Sequence, residues 1–292
     1  MGLAIASGLT LGAIYALIAS SFTLAQVPTG IFNFAQGALV VAGAFLTYYF
    51  FTSLHLPWPL TLVLNLCAGL VLGTVCEVAT VRSLRWTRTA KSGPAELVTT
   101  VGMATLLVGA MGLIWGYNPL SVPFRGPANV VTILGTRVEP LQIIIFAVSI
   151  VVAVALHFWF KLTRHGQSCL AVAEDRDTAM LRGINVNLVS TGAFAAAGAL
   201  AAVSGMLIGP ITYALPTLAN PFALAGFVAL ALGGQSSFLG GLFGGMLVGL
   251  VSTLAAVYIG PSYQDISVLV LLLVVLTVRP HGISGARLGR RV

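Results

Sequence analysis

Few side chains in this chain could do chemistry, and the most suggestive of them are amides rather than acids or bases. Asn33 and Gln36 stand three residues apart, a spacing that puts both on one helix face just after a break at Gln26 to Gly30. Tyr15 precedes them on the neighbouring apolar run. A carboxamide pair can hydrogen-bond a zwitterion without burying a charge, and it can equally tie two helices together. Gln235 closes a short apolar stretch, directly after Gly233 and Gly234. The other polar cluster runs from Ala171 to Gly183. Glu174, Asp175 and Asp177 come early, Arg182 comes late and Gly183 stops it, the charge order a short helix favours. Ala179, Met180 and Leu181 would give that helix an exposed apolar side.

The familiar catalytic patterns are missing. No Gly-x-x-x-x-Gly-Lys-Ser/Thr loop, no His-Glu-x-x-His helix and no Gly-x-Ser-x-Gly elbow occurs. Cys67, Cys76 and Cys169 are scattered and suggest neither a disulfide nor a metal site. Within the apolar runs ionisable groups are nearly confined to Glu77 and His157, both close to run ends. Ion-coupled carriers place costly acids or histidines along their route, so uphill transport by this chain would draw its energy from elsewhere.

The elements that must position these residues are membrane spans. Of 292 residues 58% are hydrophobic and 7% charged, far below the roughly 25% charged of a soluble domain. Apolar runs fall at 2–25, 31–51, 58–81, 97–115, 141–160, 188–208 and 263–278. Each approaches the roughly 20 residues that cross a bilayer. Met1 to Ala25 lacks a basic leader and reads as a retained first span. Phe222 to Leu232 would cover only about 16 Å as a helix and ends in Gly-Gly-Gln-Ser-Ser. Such a broken segment either lines a solute path or is a plain turn between helices. Small residues at helical spacing, Gly240/Gly244 and Gly241/Gly245/Gly249, are packing surfaces. The expectation is an all-α polytopic membrane protein. It is one domain over 1–292 with about eight spans and a re-entrant or broken segment near 221–240.

Charge gives the orientation. The formal charge of +7 reports topology before it suggests nucleic acid. Twelve of fourteen Lys and Arg lie at 82–91, at 161–182 and in the tail 279–292; only Arg125 and Arg137 lie in the loop 116–140. The loop 161–187 and the tail are thus expected in the cytoplasm, and the loop 116–140 and the amino terminus outside.

Several stretches together resemble the permeases of branched-chain amino acid ATP-binding-cassette (ABC) importers, LivH type. These are Gly8-Leu9-x-x-Gly12-x-x-Tyr15-Ala16-Leu17, Ile31-Phe32-Asn33-Phe34-Ala35-x-Gly37, and Ala173-Glu174-Asp175 with Ala179 and Gly183-Ile184-Asn185. Leu232-Gly233-Gly234 and Arg279-Pro280-x-Gly282-Ile283 complete the order. The resemblance covers essentially the whole chain. It implies a bacterial inner-membrane importer subunit that is not itself an enzyme. Its partners would be a second permease, two cytoplasmic ATPases that carry ATP and Mg, and an external solute-binding protein. It also implies that Ala173, Glu174, Asp175, Ala179 and Gly183 belong to the loop that docks on an ATPase, and that the transport path runs between the two permeases; Tyr15, Asn33, Gln36 and Gln235, read above from their types and spacing, are this chain's candidates for lining it. One departure stands out: the family commonly has Asn-Phe-Ala-His-Gly-Glu where this chain has Asn33-Phe34-Ala35-Gln36-Gly37-Ala38, so both titratable members are neutral here. That opens the solute to urea, amides or organic carboxylates beside hydrophobic amino acids. A self-sufficient channel is the alternative from another class.

Overall fold

In the computed structural model, residues 1–83, 93–124, 131–133, 136–278 and 282 are described. The basic residues Arg85, Arg88, Lys91 and Arg125, and the tail from Arg279 apart from Gly282, lie outside the described residues. The helices are α1 (Gly2–Thr29), α2 (Gln36–Thr52), α3 (Trp58–Cys76), α4 (Gly93–Trp115), α5 (Pro140–Leu162), α6 (Arg164–Glu174), α7 (Arg176–Leu181), α8 (Val186–Thr212), α9 (Ala219–Gly233), α10 (Phe238–Tyr258) and α11 (Tyr263–Val278). A π-helical stretch, Glu77–Arg82, continues α3. Two three-residue strands, β1 (Val131–Ile133) and β2 (Thr136–Val138), form a hairpin.

Seven of these helices are long and apolar enough to cross a membrane, and two shorter apolar ones, α2 and α11, join them. The described residues thus hold nine apolar helices against the eight expected. The difference lies at 221–240, where α9 and α10 are two separate helices joined by the turn 234–237.

The chain forms two compact units. One comprises Met1–Thr23, Ala128–His157 and Ala225–Val292. In it the packing is made by small residues. An added Cβ on Gly12 would stand 2.6 Å from Met246 Cα, and one on Gly245 would meet the backbone of Ala16. The α9–α10 hairpin closes the same way, Gly233 on Gly240 and Gly244 on Ala229. Ala16, Ala153 and Leu242 form a buried cluster beneath Ile150 and Met246.

The other unit comprises Leu24–Pro127 and Phe158–Leu224, with α8 at its centre between α2 and α3. The Ala-rich run of α8 lets both neighbours approach at backbone distance: Gly205 faces the Val40 carbonyl, Gly43 faces Ala202, and Gly69 with Gly73 faces Gly198. Where lipid competes equally for apolar side chains, such close approach supplies the dispersion contact that association needs. At one end of this unit Leu120 and Ala214 pair as an antiparallel bridge, and Trp115 stacks on Phe45 with centroids 5.1 Å apart.

Gly205→Leu is expected to destabilise the protein at the upper end of the roughly 1–3 kcal/mol of overpacking, because the side chain would fall on the Val40 backbone. Gly102→Leu has no atom within 4 Å of its Cβ and is expected to leave stability unchanged. Thermal unfolding in detergent, followed by size-exclusion chromatography, checks the pair.

Candidate functional site

The break between α1 and α2 is where irregular backbone meets the interior. Gly30 has φ +73°, a conformation that favours glycine, and the chain stays non-helical to Ala35. Three of the backbone groups it exposes find a nearby side chain. The Thr29 hydroxyl accepts from the Ile31 amide at 3.2 Å, and Asn33 Oδ1 accepts from the Ala35 amide at 3.1 Å. The Thr100 hydroxyl reaches the Phe32 carbonyl at 3.4 Å. Asn33 Nδ2 then donates to Gln36 Oε1 at 3.1 Å, and Gln36 Nε2 donates to the Ala197 carbonyl in the middle of α8 at 2.8 Å. Asn33 is 1% exposed and Gln36 is fully buried. The two amides are thus brought together, by a turn ahead of α2 rather than on one helix face as their spacing suggests, and they fasten the break to α8. Each carboxamide has one further N–H to offer.

Tyr15 and Gln235 belong to the other unit. Tyr15 is buried on α1, with Ser252 and Gln264 beside its hydroxyl. Gln235 is exposed in the turn between α9 and α10, whose Gly234 has φ +97°.

Two buried polar residues escaped the sequence reading as site members. Asn65 on α3 is fully buried and donates from Nδ2 to the Thr47 hydroxyl at 2.7 Å, while its Oδ1 has no partner. Glu77, at the start of the π-helical stretch, is 2% exposed. Its two carboxylate oxygens accept from Ser190 at 3.0 Å and Thr191 at 3.1 Å, one turn into α8. Their signal was a lone amide in one apolar run and a lone acid near its end. The partners that give them meaning lie more than a hundred positions away for Glu77.

The 171–183 segment is not one helix but two. Asp175 ends α6 and caps α7, its Oδ1 accepting from the amides of Asp177 at 2.9 Å and Thr178 at 3.1 Å. The Thr178 hydroxyl donates to Oδ2 at 2.6 Å. These bonds, the Thr178 hydroxyl foremost, hold the Asp175 carboxyl below its ordinary range. Ala173, Glu174, Asp175 and Gly183 are exposed, and Gly183 turns the chain at φ +81°. The expected apolar side is corrected in one respect. Ala179 is 2% exposed and packs with Val172 and Val186, so it holds the loop to the protein rather than facing outward. Met180 and Leu181, at 51% and 89% exposed, carry the apolar surface. The physical reason is helical spacing and packing: Ala179 faces Val172 and meets Val186, whereas Leu181, two residues on, falls on the opposite side.

With this geometry in hand, the known proteins it matches can be named. The family of permease components of branched-chain amino acid transport systems matches residues 4–278. The LivH permease protein of the high-affinity branched-chain amino acid transport system of Salmonella typhimurium is 30% identical, over 96% of this chain and 94% of its own. BraD of Pseudomonas aeruginosa, a permease protein of the same kind of system, is 31% identical over the same shares. The ribose import permease RbsC of Haemophilus influenzae is 28% identical over 89% of this chain and 80% of its own. Among solved structures, PsaBC of Streptococcus pneumoniae in complex with a Fab shares the fold, with TM-score 0.52 and 12% identity over 94% of this chain and 91% of that one.

Gln36→Leu is expected to cost about 1–3 kcal/mol, because the Ala197 carbonyl and Asn33 Nδ2 both lose a buried partner; thermal unfolding measures it. For Asp175 the sign follows from its lowered ionisation. The cap is present above the unfolded carboxyl's range and is lost as pH falls through the lower folded value. Hydrogen exchange at Asp177 and Thr178 is therefore expected to stay slow at neutral and mildly acidic pH, to accelerate only in stronger acid, and to be fast at all pH values in Asp175→Ala.

Proposed function

The chain belongs to the family of branched-chain amino acid transport permeases, and we propose that it forms half of the membrane passage of an ATP-driven importer for branched-chain or other hydrophobic amino acids. In this reading the other half is a second permease. Two ATPases, which bind ATP and Mg, sit on the α6–α7 side, and an external protein delivers the solute. The observation that carries the reading is the α6–α7 pair. Met180 and Leu181 stand out beside Glu174, Asp175 and Asp177 on a small module anchored through Ala179, Val172 and Val186. An apolar pair ringed by charge is the anatomy of a protein contact, apolar at the centre and polar at the rim. Its anchorage to the start of α8 gives a push on the module a rigid route into the membrane.

The solute route is proposed to run past the α1–α2 break, where Asn33 and Gln36 keep spare N–H donors, and past Tyr15. A neutral Gln36 suits a solute whose charges are met by amides and helix ends rather than by a titratable side chain. Because both amides also hold the fold, their replacement tests structure and transport together. The coupling surface is the cleaner target.

Leu181→Asp is expected to lower solute-stimulated ATP hydrolysis by about tenfold or more, the effect of roughly 1.4 kcal/mol at an interface hot spot. The protein's yield and melting should not change, since Leu181 is 89% exposed. Unchanged stimulation in an assembled complex would remove the coupling role. A lone chain that conducts solute downhill without ATP would favour a channel. In whole cells, a cysteine at Met180 should resist a membrane-impermeant label and one at Tyr117 should react; the opposite pattern would invert the topology.

A further inference from the structure

A cavity of about 220 Å³ opens within the unit that holds α8, beside the α6–α7 module. Trp159, Phe160, His165, Leu188, Gly192 and Ala196 are among its walls. It lies below the roughly 300–1,000 Å³ of a typical small-molecule site and lacks the convergent polar groups such sites use to orient a solute. It is nevertheless built. The backbone doubles back at Thr163, whose hydroxyl accepts from the Gly166 amide at 3.1 Å, and Gly166 packs directly on the backbone of Trp159 and Phe160. At Gly192 nothing lies within 4 Å of where a Cβ would stand, so the hollow reaches the helix backbone.

Exposed cations stand beside it in the chain: Lys161 follows the wall residue Phe160, and Arg164 precedes His165, itself a wall residue. The walls come from the end of α5 and the start of α8, two helices long and apolar enough to cross a membrane, which places the cavity where two such spans end. An aromatic residue at the end of a span with cations one turn beyond is the arrangement found at headgroup level. An apolar hollow sized for a chain segment, opening under cations at that level, matches one molecule in its surroundings.

We propose that this cavity binds an acyl chain of an anionic phospholipid, with Lys161, Arg164 and His165 meeting its phosphate, on the face that carries the α6–α7 module. The occupant bridges the end of α5, helix α6 and the start of α8, the elements that anchor the module, so it stiffens them against one another. Zwitterionic lipid has the same chains without the net charge and binds more weakly; surface cations near anionic lipid contribute about a fivefold gain in affinity each.

The test uses the protein purified in mild detergent together with whatever subunits accompany it. It is exchanged with phosphatidylglycerol or phosphatidylcholine of identical chains, and bound lipid is counted by native mass spectrometry. Retention of phosphatidylglycerol over phosphatidylcholine is expected. Lys161→Gln and Arg164→Gln should each reduce that preference about fivefold. Gly192→Leu should reduce retention of both lipids without lowering the melting temperature. A phosphatidylglycerol carrying a photoactivatable group on its acyl chain should label peptides containing Phe160 to Cys169 and Leu188 to Ala196 in the unaltered protein. Equal retention of the two lipids, retention unaffected by Gly192→Leu, labelling confined to other peptides, or an accompanying protein chain crosslinked into the cavity would each overturn the proposal.

Discussion

A peptide group that leaves its helix inside a bilayer has no water to bond, and every such group must be met by protein. The break between α1 and α2 is where this chain meets that constraint most directly. Six residues outside helical geometry are held by Thr29, Asn33, Gln36 and Thr100, each satisfying a backbone group or another amide. The last bond in the series reaches the Ala197 carbonyl, and so a local problem of unsatisfied backbone is resolved by fixing α2 on α8. Where α2 starts, and therefore which of its residues face the interior, depends on that attachment.

Close helix contact answers a second constraint of the same medium. With lipid tails as apolar as leucine, helices gain little by hiding apolar surface from one another, and they gain from touching at backbone distance. The glycines of α2, α3 and α8 meet at such distances in one unit, and those of α1, α9 and α10 in the other. Most buried hydroxyls bond back to a carbonyl of their own helix, as Ser20 does to Ala16 and Thr23 to Ala19, and a smaller set of polar groups pairs across helices. Glu77 meets Ser190 and Thr191, and Asn65 meets Thr47. The Glu77 contact ties the π-helical end of α3 to the start of α8, the same short stretch on which the α6–α7 module rests. Three features of differing chemistry thus converge on the first turns of α8: a carboxylate network, a buried apolar cluster and an apolar cavity.

The sequence by itself determined the solvent, the fold class and the family. Composition and apolar run length exclude a soluble fold at any arrangement of side chains, and the family's pieces are short local strings that survive as strings. It also brought Asn33 and Gln36 close in the chain, although a turn ahead of α2 joins them rather than a shared helix face, the Gln36 amide donating to the Asn33 carbonyl at 3.1 Å. What it left open, tertiary structure decided. Whether the amide pair serves the fold depended on Ala197, 161 positions away. Whether 221–240 was broken or simply turned depended on Gly233 meeting Gly240 across a hairpin. Ala179 and Leu181 are both apolar and two residues apart. Helical spacing puts them on opposite faces, and only the packing of Val172 and Val186 decided that the first is buried and the second exposed. Local pattern fixes what a side chain is and which of its near neighbours share its face, whereas burial and partnership are long-range properties that the chain acquires only when distant segments pack.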